Sequence, residues 1–124
     1  MAITVTENLA AQQRDGRTKA IKFAWVSADG ADLEQATTNW YVGKIHGVQI
    51  VPAGGAAAPS DNFDITIEDG NGGDVLLGAC MNCDNTTNTY AGSASLAAVG
   101  GGTLTINVAN TGSAGAGTGY LWLG

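Results

Sequence analysis

Between two turn-forming stretches lies N-F-D-I-T-I-E, residues 62–68, in which Phe63, Ile65 and Ile67 alternate with Asp64, Thr66 and Glu68. A side-chain period of two sorts the apolar set onto one face of a strand and the polar set onto the other, which a helix cannot do. The same period returns at Ile21, Phe23 and Trp25, and again at Leu104, Ile106 and Val108. The run from Trp40 to Val51 reads as a further strand broken by Gly43 and Gly47, where bulges or close backbone approach are expected, and Pro52 ends it. Strands with one polar face need a second layer over the apolar one. Seven or eight such strands between glycine turns, with no amphipathic helix, predict an all-β, single-domain antiparallel β-sandwich, jelly-roll-like or Ig-like.

A chain of 124 residues is long enough for one sizeable core and too short for two. Residues 1–17 read as an N-terminal arm or edge strand, with Ile3 and Val5 alternating before a polar run, and residues 18–124 as the sandwich domain. Residues 31–39 fit either a helical turn or a polar connection, and 93–99 stay ambiguous. The turn D-G-N-G-G-D reads as a hairpin joining the 62–68 strand to Val75, Leu76 and Leu77. Residues 53–60 read as an exposed loop. In the last strand, Leu121 and Leu123 oppose Tyr120 and Trp122, so one pair must point away from the core unless another chain covers it. That favours an interface at the C-terminal strand as much as simple exposure.

Charge is unevenly placed. All five basic residues, Arg14, Arg17, Lys19, Lys22 and Lys44, fall in the first 44 positions, and every charged residue after them is acidic, for a net charge of −6. With no cationic surface over most of the chain, phosphate backbones are repelled, so no nucleic-acid partner is expected. No apolar run is long enough to span a bilayer, so no membrane partner is expected either. The first residues lack a basic segment followed by an apolar core and do not read as a secretory signal, which points to synthesis in a cytoplasm and reduced thiols.

Cys80 and Cys83 form a C-x-x-C, a spacing shared by redox couples, half zinc sites and ordinary loops. Redox catalysis wants the first cysteine at a helix N-terminus, whereas this pair follows a strand and precedes turn residues. Zinc needs two more ligands, and His46 is the only histidine. Two loop thiols are the expected state, with neither metal nor cofactor. Asp69 to Leu77 nearly matches a calcium β-roll nonapeptide, yet stands as a single copy where stacked repeats are required. G-x-S-x-G is absent, and the acid pairs Asp61/Asp64 and Glu68/Asp69 look like a solvated face, so no catalytic residue and no enzymatic activity are expected.

The ordering W-V-S-A-D-G, T-T-N-W-Y-V-G-K-I, V-P-A-G-G-A-A-A-P-S-D-N-F-D-I-T-I-E-D, G-G-D-V-L-L-G, G-T-L-T-I-N-V-A-N-T-G and G-T-G-Y-L-W-L, over residues 18–123, resembles small β-sandwich virion proteins of tailed bacteriophages. The resemblance implies a head decoration or cement protein on the outer surface of the capsid, partnered by the major capsid protein. It implies shell contacts through the arm at Arg14, Arg17, Lys19 and Lys22, and through the loop from Pro52 to Pro59. Tyr120 and Trp122 complete the expected interface and also admit a second copy of the chain. The alternative implied is a carbohydrate- or receptor-binding sandwich module of a phage tail or fibre.

Overall fold

The computed structural model describes residues 2–7, 18–27, 30–112 and 115–124. Among these residues, nine strands lie in the order β1 (Ala2–Glu7), β2 (Lys19–Val26), β3 (Leu33–Ala36), β4 (Gly43–Pro52), β5 (Asp64–Glu68), β6 (Thr89–Gly92), β7 (Ala98–Val99), β8 (Thr105–Ala109) and β9 (Ala116–Leu123). Single 3-10 turns occur at Gly55–Ala57 and Ser93–Ser95. The larger sheet has the order β1-β2-β9-β4-β6, with β7 also pairing β4, and the smaller sheet has the order β3-β8-β5. Every pairing is antiparallel. The protein is an all-β antiparallel sandwich of jelly-roll type. No helix among the described residues is long and apolar enough to cross a membrane.

The alternating residues fill the space between the sheets. Ile21, Phe23 and Trp25 come from β2, Ile45, Val48 and Ile50 from β4, Ile65 and Ile67 from β5, Ile106 and Val108 from β8, and all are buried. Trp25 sits against Phe63 with ring centroids 5.8 Å apart and against Phe23 at 6.4 Å. Its indole N–H finds no acceptor among the described residues. That orphan costs about 1–3 kcal/mol, which burial of the ring, worth about 4–6 kcal/mol, offsets.

The aromatic pair is admitted by two glycines. Phe23 pairs with Gly119 and Trp25 with Gly117 across β2 and β9. A Cβ at Gly119 would lie 2.1 Å from Phe23 Cζ, and one at Gly117 would lie 2.4 Å from the Trp25 ring. The rings therefore lie flat on bare backbone, and G-T-G in the last strand is a packing requirement rather than a turn signal.

Two sequence expectations change and one is met. Residues 33–36, undecided between a helical turn and a connection, are strand β3, because backbone pairing with β8 decides what a stretch with one core-facing residue could not. The expected hairpin from residues 62–68 into Val75–Leu77 stops at a single antiparallel bridge, Glu68 to Asp74: β5 pairs β8 instead, and 75–80 curl in successive turns. Gly47 lies at an irregularity, with a register shift between Ile45 and Gly47.

Candidate functional site

Of the carboxylates that the sequence offers as calcium ligands or catalytic acids, Asp61, Asp64, Asp69 and Asp74 accept backbone N–H groups. Asp69 Oδ1 accepts the Asn71 and Gly73 N–H groups at 2.9 and 3.3 Å. Asp74 Oδ1 accepts Ile67 N–H at 3.1 Å and Leu76 N–H at 3.0 Å, while its Oδ2 accepts Gly78 N–H at 3.0 Å. Asp64 accepts Asn82 N–H at 2.8 Å and the Asn110 amide. Asp84 accepts the Thr86 N–H and hydroxyl at 2.7 and 2.8 Å, which holds its carboxyl below the usual range. These are clamps on turns, three of them reaching two residues ahead in the Asx geometry. No cluster of metal-ligating side chains occurs among the described residues.

The segment that follows Asp74 caps the outer edge of β5. Val75 N–H donates to Ile67 O at 2.8 Å, Ile65 N–H to Cys80 O at 2.9 Å, Cys83 N–H to Phe63 O at 2.7 Å, and Asn62 N–H to Cys83 O at 3.0 Å. An edge strand that would template pairing with another chain is thereby satisfied internally. Leu77 and Asn82 adopt positive φ, 52° and 56°, to make the path, and Leu77 projects into solvent. Cys80 and Cys83 do not sit as surface loop thiols: both are free, at 0% and 2% exposure, and belong to the core. Cys83 Sγ donates to Cys80 O at 3.1 Å. The sulfur contact and burial push the Cys80 thiol up, while the hydrogen bonds from Cys80 and Thr89 bring Cys83 down.

At the opposite edge, Glu7 closes the sandwich. Its carboxylate accepts Tyr41 OH at 2.6 Å, Thr38 N–H at 2.9 Å, Asn39 N–H at 3.1 Å and Asn39 Nδ2 at 3.2 Å, tying β1 to the turn before β4. Burial alone raises the Glu7 pKa, but these four donors outweigh it and hold it below its ordinary value of 4.5. Burial and the adjacent carboxylate push Tyr41 well up. A folded-state pKa below the unfolded one gives stability that is present above pH 4.5 and lost as pH falls through the folded value. Glu7→Gln is therefore expected to lower the urea midpoint near neutrality and to narrow the difference between that midpoint and the one at about pH 3.5; the two midpoints in each protein check it.

Among the described residues, no other element packs over one face of the larger sheet. Across it, Thr6 is beside Lys22, Lys22 beside Tyr120, Tyr120 beside Gln49, and Gln49 beside Tyr90. In the next row Ala20, Trp122, Gly47 and Gly92 follow one another. Tyr120 and Trp122 stack at 6.1 Å with planes 12° apart, and both are half-buried, whereas Leu121 and Leu123 point into the core. Tyr90 is 65% exposed, and its ring reclines over Gly47, where a Cβ would lie 3.1 Å from its hydroxyl. Among the described residues Lys22 is the only charged group in these rows. Exposed acids sit elsewhere: Glu34 on β3, and Asp32, Asp61 and Asp84 on loops.

The other expected contact residues scatter. Arg14 and Arg17 lie outside the described residues. Lys19 is half-buried at the start of β2, and Lys22 is exposed on its outer side. Pro52 ends β4 opposite Gly117. Pro59 is buried, packed where a Cβ at Gly115 would lie 2.8 Å from its Cα, which leaves Gly54–Ala57 as the exposed part of that loop. Trp40 is 78% exposed beside buried Tyr41. His46 is exposed, its Nε2 3.0 Å from a Gly124 oxygen. Sequence reasoning missed the aspartate clamps, although D-x-N, D-x-L and D-x-T carry their spacing, and it missed Tyr90, whose strand of four residues gives no period.

No protein-family model matches the chain, and no curated protein matches it. Solved structures similar to it include a cupin domain from Bordetella pertussis Tohama I, at 10% identity and a TM-score of 0.39, covering 99% of this chain and 94% of that one. Another is the Cupin_2 domain of an XRE-family transcriptional regulator from Enterobacter cloacae, at 10% identity and a TM-score of 0.43, covering 100% and 98%. The recombinant pro-11S globulin of pumpkin is similar at 12% identity and a TM-score of 0.32, over 96% of this chain and 25% of that one.

These findings correct the phage reading. The similar structures at full coverage are bacterial cupin domains, with no phage-protein evidence, so the resemblance to head decoration proteins is overturned. The capsid decoration role falls with it, and so does the tail-fibre module that bound carbohydrate or receptor. The physical reason is that alternation broken by glycine turns is what any two-sheet sandwich requires. The quoted motifs carried the fold and nothing finer.

Proposed function

We propose that this protein is a non-catalytic β-sandwich that works by self-association, two copies meeting through the outer face of the larger sheet. The observation that carries the reading is the face itself: Tyr90, Tyr120 and Trp122 on a surface whose described charges, Lys22 and Lys44, are both basic. The chain carries −6 overall, so two copies repel through most approaches. This face, clear of described carboxylates, is where repulsion is least. A two-fold axis through it makes the contact self-complementary, so that each aromatic group of one copy makes the same contact that its equivalent makes in return.

Area supports a modest affinity. Five strands about 4.8 Å apart and four to ten residues long present roughly 500 Å² per copy, or roughly 1,000 Å² in total, at the lower bound for a specific interface. The stacked Tyr120–Trp122 pair loses little side-chain freedom on contact and supplies the anchors that such a small interface needs. Dissociation constants on the order of micromolar follow. Phosphate backbones are disfavoured as partners because the exposed acids dominate the remaining surface.

Sedimentation equilibrium of the wild type, Trp122→Ser and Tyr90→Ser tests the reading. Each substitution is expected to weaken association about tenfold or more with little loss of fold, since both side chains point outward. Thr4→Ser on β1, at the margin of the same face, is the control and is expected to leave it unchanged. Association that neither aromatic substitution alters would place the interface elsewhere.

A further inference from the structure

We propose that Cys80 and Cys83 are a peroxide-oxidisable dithiol whose disulfide tightens the cap on the edge of β5. Three features of the fold lead there, and none involves the sheet face argued above. First, the two thiols belong to one turn, in which Cys83 Sγ donates to the Cys80 carbonyl oxygen at 3.1 Å and so lies over the residue that carries the other sulfur. Residues three apart in a tight turn bring their Cβ atoms within the span a disulfide needs.

Second, both cysteines are joints of the cap. Cys80 O receives Ile65 N–H, Cys83 N–H donates to Phe63 O, and Cys83 O receives Asn62 N–H. A covalent bond between the two sulfurs links the anchor at Ile65 to the pair of anchors at Phe63 and Asn62. Third, the turn between them is at the surface: Met81 and Asn82 are exposed while the thiols lie directly beneath. A small opening of that turn admits a peroxide, which is not much larger than water.

The chemistry is a two-electron oxidation. Cys83 gives up its proton and its thiolate attacks one peroxide oxygen; an S–O bond forms, the O–O bond breaks, and hydroxide leaves and takes a proton to become water. Cys80 then attacks the Cys83 sulfenic sulfur. The S–S bond forms, the S–O bond breaks, and the hydroxyl leaves as water with the Cys80 proton. Two thiols and one peroxide become one disulfide and two waters. Cys83 is the first to react because it is the less deeply buried thiol, at 2% exposure against 0% for Cys80, and its pKa is lowered where that of Cys80 is raised.

The test is native peroxide treatment of the full chain, with peptide mass mapping and amide hydrogen exchange before and after. Expected is a peptide spanning 80–83 lighter by two hydrogens, restored by dithiothreitol, with slower exchange at Ile65, Asn62 and Cys83 in the oxidised protein. Cys80→Ala keeps the reactive sulfur without its partner; it is expected to stop at a sulfenic acid that dimedone traps. Met81 oxidation is resolved by the same mapping and is scored separately. Thiols untouched in the native protein yet oxidised in urea would overturn the proposal, as would sulfinic acid at Cys83 in the wild type. A disulfide that leaves the three amides unchanged would overturn the link to the cap.

Discussion

Gly119→Ala is expected to cost about 3 kcal/mol or more, at the upper end of what overpacking a core does. The added Cβ would lie 2.1 Å from Phe23 Cζ and within 2.6 Å of both adjacent ring atoms. Phe23 cannot swing aside, since it is fully buried with Trp25 stacked beside it. Gly117→Ala meets the Trp25 ring and the Val51 carbonyl at 2.4 and 2.9 Å and is expected to cost nearly as much. Thr118 lies between the two glycines with its side chain on the outer face, so Thr118→Ala is expected to stay within about 0.5 kcal/mol of the wild type. Urea unfolding of the three variants checks the set. Equal losses at all three would mean that β9 is weakened by substitution in general, and the rings are not seated on the glycines.

Asp74→Ala is expected to destabilise by about 3 kcal/mol, because one carboxylate satisfies three backbone donors and two of them lie beside the core. Removing it leaves the Ile67, Leu76 and Gly78 N–H groups without that acceptor and frees the start of the β5 cap. Asp74→Asn is expected to lose roughly half as much, since the amide oxygen still accepts from Ile67 and Leu76 while its NH₂ group faces the Gly78 N–H. The comparison is made by chemical denaturation, with exchange at Ile67 as the local readout. A loss at Asp74→Ala no greater than that of an exposed surface aspartate would contradict the clamp.

What the sequence made legible follows from period. Phe63, Ile65 and Ile67, like Leu104, Ile106 and Val108, state their buried face directly, and the sandwich is the architecture that two such faces require. Local pattern says nothing about which strand pairs with which. The D-G-N-G-G-D turn had every mark of a hairpin, yet Asp74 gathers amides and turns the next residues into a cap, while β8 from much later in the chain becomes the partner of β5. The cysteines looked like loop residues because Asn82, Asp84 and Asn85 surround them; the loop folds inward at both sulfurs and leaves Met81 and Asn82 between them exposed. Tyr120 and Trp122 could be seen to oppose Leu121 and Leu123, but the neighbours that make them a surface, Gln49 and Tyr90 across β4 and β6, come from register alone.

The most direct test of self-association through this face is sedimentation velocity of the wild-type chain over a wide concentration range. The account predicts a concentration-dependent rise from the monomer, 12.5 kDa, to twice that mass, with a midpoint on the order of micromolar. A chain that stays monomeric into the millimolar range would contradict it.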